Sequence, residues 1–232
     1  MKKSQLNIEI YHFIQKLLGK KLTQKLHFSL KKRKLTESGI IFIHVPKAAG
    51  TSVAEVLYGQ RIGHYTQDEY IEYLGFNQIK NSYIFTVVRD PVERLYSAWK
   101  YAVKGGTKDG GVYNADFYKN EVFQDFNTFV QNWLTNQNLN KTDVLFKPQC
   151  YFITSKKYKL PKENIFYLND MEELEKKLSI LKNYSVKLPH KNAIISTKNQ
   201  NTLTTIESKT IEIIKKLYKC DYDQFFNLND AN

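Results

Sequence analysis

The stretch Pro46-Lys47-Ala48-Ala49-Gly50-Thr51-Ser52 sets small residues, a lysine and two hydroxyls between an apolar run, Ile40 to Val45, and a segment carrying Val53, Val56 and Leu57 at helical spacing. A loop joining a strand end to a helix start presents unpaired N–H groups and the positive end of the helix dipole, so it attracts a phosphate-sized anion. Ala48, Ala49 and Gly50 leave room for that anion, Lys47 adds a point charge, and Thr51 and Ser52 add donors. This is not a Walker A loop, whose lysine follows its second glycine; here Lys47 precedes the loop's glycine by three residues. A second anion site follows another apolar run, Tyr83 to Val88, where Arg89-Asp90-Pro91 opens a helix through Trp99 and Val103. Arg89 can fork two donors onto a phosphate, and Ser97, two turns into the helix, adds a hydroxyl. The structural alternative pairs Arg89 with Asp90 or Glu93, and Arg94 reads either as a second phosphate contact or as a surface residue.

These residues need a scaffold that brings two strand ends to one edge. Strand, tight loop, helix, then a helical stretch near Gln67 to Leu74, a second strand and a second helix form the alternation of a parallel α/β sheet, in which ligands bind beyond the carboxyl ends of the strands. The Gly-rich segment Lys104 to Gly111 reads as a mobile lid. Phe126, Phe129, Val130, Trp133 and Leu134 have the spacing of a core-packed helix. A strand over 164–168, a helix around Met171 to Leu181 and another from about Thr204 to Tyr218 complete the chain. No internal repeat or linker appears. Residues 1–38 read as a basic amphipathic N-terminal segment and residues 39–232 as one domain.

The net charge of +12 over 232 residues is uneven. Residues 1–38 hold ten Lys/Arg against Glu9 and Glu37, a balance of +8, which leaves +4 for the rest. The globule is thus only mildly basic, and no nucleic-acid partner is expected. Leu6, Ile10, Phe13, Ile14, Leu17 and Leu18 recur at helical spacing and Gly19 supplies a stop. The following tract, Lys20 to Leu35, interleaves apolar residues with Lys31-Lys32-Arg33-Lys34. It reads as a solvated basic arm packing its apolar side on the domain, with peripheral membrane contact as the alternative. No run reaches the length of a spanning helix and no export signal is visible, so a cytoplasmic protein is expected. Cys150 and Cys220, with no CxxC pair and no Cys/His cluster, speak against a disulfide scaffold and against a sequence-local zinc site, and suit a reducing compartment.

The stretch IFIHVPKAAGTS resembles the 5′-phosphosulfate-binding motif of sulfotransferases that use 3′-phosphoadenylyl sulfate (PAPS), and FTVVRDPVERLYSAW resembles their 3′-phosphate-binding motif. The likeness is to the family-2 carbohydrate sulfotransferases and their bacterial relatives, over roughly residues 39 to 185. It implies a P-loop-like fold with a three-layer parallel sheet flanked by helices, PAPS as donor, a carbohydrate or glycoconjugate acceptor and no metal. Lys47, Ala48, Ala49, Gly50, Thr51 and Ser52 would then hold one end of the donor, and Arg89 with Ser97 the other. The segment Leu188-Pro189-His190-Lys191-Asn192 resembles a C-terminal family segment near the pocket, but the tyrosine-rich continuation of relatives is replaced by Ile194-Ile195-Ser196-Thr197-Lys198-Asn199. The run Lys-Pro-Gln-Cys-Tyr also echoes the family, making Gln149 and Tyr151 either acceptor contacts or packing residues.

Sulfuryl transfer, like phosphoryl transfer, relies on in-line positioning and charge stabilisation. Lys47 is the catalytic cation expected to stabilise the bridging oxygen of the breaking bond. The acceptor hydroxyl must lose a proton, and His64, in Arg61-Ile62-Gly63-His64-Tyr65-Thr66, is the candidate base. The alternatives are that His64 caps the helix starting near Thr66 or bonds a buried backbone group, with Glu55, Asp68 or Glu69 as bases instead. His44 reads as a satisfied core histidine. The rival functions are a kinase-like phosphotransferase and a non-catalytic module binding anions or nucleic acid. Oligomeric state is not legible in the residues.

Overall fold

The structure, a computed structural model, describes residues 3–107, 110–189 and 206–226. Its centre is a parallel sheet in which β2 (Tyr83–Val88) lies between β1 (Ile40–Ile43) and β5 (Ile165–Tyr167). Ile40 pairs with Tyr83 and Ile43 with Thr86; on the other side Thr86 pairs with Ile165 and Val88 with Tyr167. All four residues of β1 and five of six in β2 are buried, as the continuous apolar runs require of strands covered on both faces. The side of β1 away from β2 is occupied by Tyr58, whose hydroxyl accepts from Phe42 N (2.8 Å) and donates to Ile40 O (3.1 Å). One side chain thereby supplies two ladder bonds that a neighbouring strand would have made.

Each of the first two strands runs into a helix: β1 into α4 (Gly50–Tyr58), closed by Gly59 at φ 64°, and β2 into α7 (Pro91–Val103). Asp90 caps α7 by accepting from Val92 N (2.9 Å) and Glu93 N (3.0 Å), and Pro91 fills the first turn, where a missing N–H costs nothing. Between these units lie α5 (Gln67–Leu74), opened by a Thr66/Glu69 capping box, and the short α6 (Phe76–Lys80). Because β1 and β2 are parallel neighbours, their loops leave the same edge of the sheet.

The three expected strands form as one sheet, and two segments depart from expectation. The sheet in the described residues has three strands, and the only further ladder is a two-residue antiparallel pair, β3 (Gly106–Thr107) with β4 (Gly110–Gly111). This hairpin forms in the segment expected to be a mobile lid. Its glycines are needed: a Cβ on Gly106, at φ +96°, would lie 2.2 Å from Gly110 O. The helix expected around Trp133 is a single α-turn, α8 (Phe126–Thr128), followed by a π-turn over Phe129–Trp133 and a 3-10 turn over Leu134–Asn136. The wide turn seats Trp133 5.1 Å from Phe123 and 5.6 Å from Phe129, in the aromatic core that also holds Phe146.

The C-terminal part adds α9 (Gln149–Ile153), α10 (Met171–Lys182), α11 (Ser208–Leu217) and α12 (Lys219–Phe225). Cys150 on α9 and Cys220 on α12 form a disulfide, with Cα atoms 6.2 Å apart, against the reading that two cysteines without a CxxC pair speak against a disulfide scaffold and suit a reducing compartment. Their separation of 70 residues hid the pairing. Asp221 ties the same two helices together by accepting from Gln149 N (3.0 Å) and Cys150 N (2.9 Å). No helix among the described residues is long and apolar enough to cross a membrane. Denatured but unreduced protein is expected to expose no titratable thiol. Replacing both cysteines by serine is expected to cost about 2–4 kcal/mol in chemical denaturation; two free thiols in the native protein would contradict the pairing.

Candidate active site

Lys47, Gly50, Thr51, Ser52, Arg89 and Ser97 all line one cavity of about 1440 Å³ at the carboxyl edge of the sheet. The loop from Val45 to Gly50 bends sharply: Lys47 and Ala49 sit at φ 67° and 56°, left-handed values that non-glycine residues adopt only under local constraint. This bend aims the first turn of α4 and the Lys47 side chain at the same space. The Ala48 side chain points elsewhere, fully buried in the core and absent from the cavity wall, so any contribution from Ala48 is through its backbone.

His44 underlies the loop. A Cβ at Gly50 would lie 1.8 Å from the His44 ring, so the residue opening α4 must be glycine for the histidine to fit beneath it. The expectation of a satisfied core histidine holds only in part: the ring is buried and bonded to the Ile62 backbone, but Nδ1 has no partner. His64 stacks obliquely on it, with centroids 4.2 Å apart. The His64 Nδ1 lies 3.0 Å from the His44 carbonyl, which can only accept, so Nδ1 carries the proton and Nε2 keeps its lone pair. His64 does bond a buried backbone group; it does not cap α5, which Thr66 does.

The cavity's charges act strongly on one another. Burial, with Arg89 and Arg61 adding to it, pushes the Lys47 ammonium down to about 8. Burial lowers His64 to about 4, with Lys47, Arg61 and Lys31 reinforcing the shift, so its imidazole is neutral at physiological pH. The Lys47 Nζ also lies 4.1 Å from the centre of the Tyr101 ring. A Cβ at Gly110 would come 2.6 Å from Arg61 and 2.8 Å from the Tyr101 hydroxyl, so the hairpin glycine makes room for both.

Arg89 combines both sequence readings. Its Nε donates to Glu93 Oε2 at 3.2 Å, an ion pair that no described residue extends to the terminal nitrogens Nη1 and Nη2. Its backbone is clamped: Arg89 N donates to Gln149 Oε1 (3.0 Å), and Gln149 Nε2 donates to Arg89 O (2.8 Å). Gln149 is fully buried and absent from the cavity wall, which makes it a packing and latching residue; Tyr151 lines the cavity. Arg94 fits neither of its readings. It is fully buried and donates to Leu145 O (3.2 Å) and Lys147 O (2.8 Å), holding the chain that leads into α9.

Of the alternative bases, Glu55 and Asp68 do not line the cavity, and Asp68 accepts instead from Ser155 Oγ (2.6 Å). Glu69 lines it but is engaged in capping, accepting from Thr66 N at 2.7 Å. His190 to Asn192 and Ile194 to Asn199 lie outside the described residues. Sequence reasoning passed over Arg61 and Tyr101, as well as Tyr11, His12 and Gln15, which bring the N-terminal helix into the cavity wall. Arg61 stood three residues before His64 in a segment read only for its histidine. The described residues bring together no group of three or more His, Cys, Asp and Glu that could hold a metal ion.

Residues 35–227 match the profile of the sulfotransferase family, and the chain belongs to that family. No curated protein and no solved structure matches it.

Replacing Gln149 with leucine leaves a buried N–H and a buried carbonyl of Arg89 without partners, and is expected to cost on the order of 2–5 kcal/mol. Urea denaturation checks this. Unfolding should also take up protons in mild acid. His27 and His64 are held near 4 in the fold against 6.5 unfolded, so stability is complete above about pH 6.5 and falls as the pH is lowered toward 4. Melting temperatures across that window should decline, and less steeply for a His64→Asn variant.

Proposed function

We propose that the protein transfers a sulfuryl group from 3′-phosphoadenylyl sulfate to a carbohydrate hydroxyl by in-line displacement. The observation that carries this reading is the crowding of Lys47, Arg61 and Arg89 around one helix start, where burial and the two neighbouring guanidinium groups lower the proton affinity of Lys47, an arrangement that an anion would relieve. Family membership supports sulfuryl chemistry over other uses of an anion site.

The donor set fits a nucleotide with an anion at each end. Amides at the start of α4, Lys47 Nζ and the hydroxyls of Thr51 and Ser52 suit the phosphosulfate; Arg89, through its terminal nitrogens, and Ser97 suit the 3′-phosphate. When bound, the donor supplies a sulfuryl group on an oxygen bridging to phosphorus. Lys47 delivers positive charge to that oxygen as the bond breaks, a role a neutral amine cannot fill. His64 Nε2 receives the acceptor's proton, because its lone pair is held free by the bond from Nδ1 to the His44 carbonyl. Gln149 keeps Arg89 in place from behind. The acceptor is a hydroxyl of a glycan or glycoconjugate, met in the cavity between Tyr101, Tyr113 and Tyr151, whose rings suit the apolar faces of a sugar.

Labelled-sulfate transfer against a panel of oligosaccharides and lipid-linked sugars tests the activity. Adenosine 3′,5′-bisphosphate is expected to bind without magnesium; a requirement for ATP and magnesium would indicate a phosphotransferase instead. The pH profile of kcat/KM is expected to have an acid limb near 4, where His64 gains a proton, and a basic limb near 8, where Lys47 loses one. Lys47→Ala should lower turnover by roughly 10²–10³-fold with the fold intact. His64→Ala should lower it by about 10²–10⁴-fold. Unchanged rates in both variants would dismiss their assigned roles.

A further inference from the structure

The N-terminal helices α1 (Lys3–Leu18) and α2 (Lys20–Ser29) have two faces with different destinations. On one, Tyr11, His12 and Gln15 line the cavity, His12 stacks on Tyr113 with centroids 3.7 Å apart, and Thr23 and Phe28 are buried. His27 Nδ1 lies 2.7 Å from the Tyr65 hydroxyl, fastening α2 beside the His64 segment. No described residue covers the other face. Ile10, Phe13, Ile14 and Leu17 follow the i, i+3, i+4, i+7 spacing of one helical stripe on α1, and Leu22, Leu26 and Leu30, at intervals of four, form a second exposed series along α2 and its C-terminal end. Phe13 is 63% exposed, Leu17 69% and Leu30 86%. Isolated exposed apolar residues are ordinary, but an aligned series is an interaction surface.

We infer that this face docks on an anionic lipid bilayer, with the apolar stripe entering the acyl boundary and the surrounding lysines meeting lipid phosphates. Charge selects this occupant. Lys16, Lys20, Lys25, Lys32, Arg33 and Lys34 are exposed on the same helices and the turn that follows them, and the N-terminal segment carries ten Lys/Arg against only two acids, a net +8. A second copy of the chain would bring another +8 against the first and be repelled. An acidic glycan would satisfy the lysines but offer nothing to Phe13, Leu17 and Leu30. A bilayer satisfies both, and such combined apolar and electrostatic binding marks helices that lie in the interface plane. Because the opposite side of α1 walls the cavity, the docked protein holds that cavity about one helix diameter, some 10 Å, from the lipid surface. The inference does not depend on the sulfuryl-transfer reading.

Vesicle co-sedimentation of the full chain tests it, with phosphatidylcholine alone and with phosphatidylserine added. Binding is expected only with phosphatidylserine and should weaken as salt rises. Phe13→Ser combined with Leu17→Ser, and separately Lys16→Glu combined with Lys25→Glu, should each reduce partitioning by about tenfold or more. All four positions are exposed, so thermal melts should match the wild type. Failure to bind phosphatidylserine vesicles overturns the inference. So does binding that neither double variant weakens, or a dimer in light scattering that the Phe13/Leu17 variant abolishes while vesicles are ignored.

Discussion

Mutual repulsion among cations that the fold will not let separate is the constraint around which this protein is built. Lys47 and Arg89 sit on neighbouring loops of adjacent parallel strands, and Arg61 enters from the loop before α5. Each could relax into solvent on its own. Instead Lys47 is half-buried over Tyr101, Arg61 fits against the hairpin at Gly110, and Arg89 is latched by Gln149. A site held positive before its ligand arrives avoids reorganisation when charge develops, which is where electrostatic catalysis gains most.

The supports of this arrangement lie behind it and are distributed through the chain. Gln149 holds Arg89, Asp221 holds the start of α9 that carries Gln149, and the Cys150–Cys220 disulfide joins α9 to α12 at the same level. Arg94 anchors the chain entering α9 through two carbonyls. On the other loop, His44 fills the space beneath Gly50 and gives its carbonyl to His64. Two bonded strands and three buried polar latches, Gln149, Asp221 and Arg94, thus fix a geometry whose visible residues are only loop and helix starts.

Much of this was legible in the residues, and the divide is between local and distant signals. The β1 and β2 runs, the Pro91 helix start and the convergence of Lys47 with Arg89 all follow from periodicity and turn chemistry within a few residues. What escaped depends on partners far along the chain. The disulfide spans 70 residues, Gln149 meets Arg89 across 60, and Arg94 reaches Leu145 across 51. Neither a cysteine nor a buried arginine announces its partner at such separations. The π-turn was missed for a different reason: aromatic spacing around Trp133 is equally consistent with a regular helix and with the wide turn that packs it. The N-terminal apolar residues were seen, but only the fold reveals that the helix stripe faces out while Tyr11, His12 and Gln15 face the cavity.

The same positive field sets His64 an apparent contradiction. Lys47, Arg61 and Lys31 help hold its imidazole near 4, which keeps it neutral but leaves it a weak acceptor of protons. Resolution comes from the ligand the field is suited to. Anionic groups settling against Lys47 and Arg89 cancel the charges that oppose protonation, so the proton affinity of His64 rises as the site fills. Linkage makes the effect reciprocal: a protonated His64 binds the anion more tightly by the same factor as the anion favours the proton. On the proposed sulfuryl-transfer reading, His64 would therefore gain basicity once a donor occupies the site, while without an anion beside Lys47 its imidazole is held neutral and adds no charge to the cations around it.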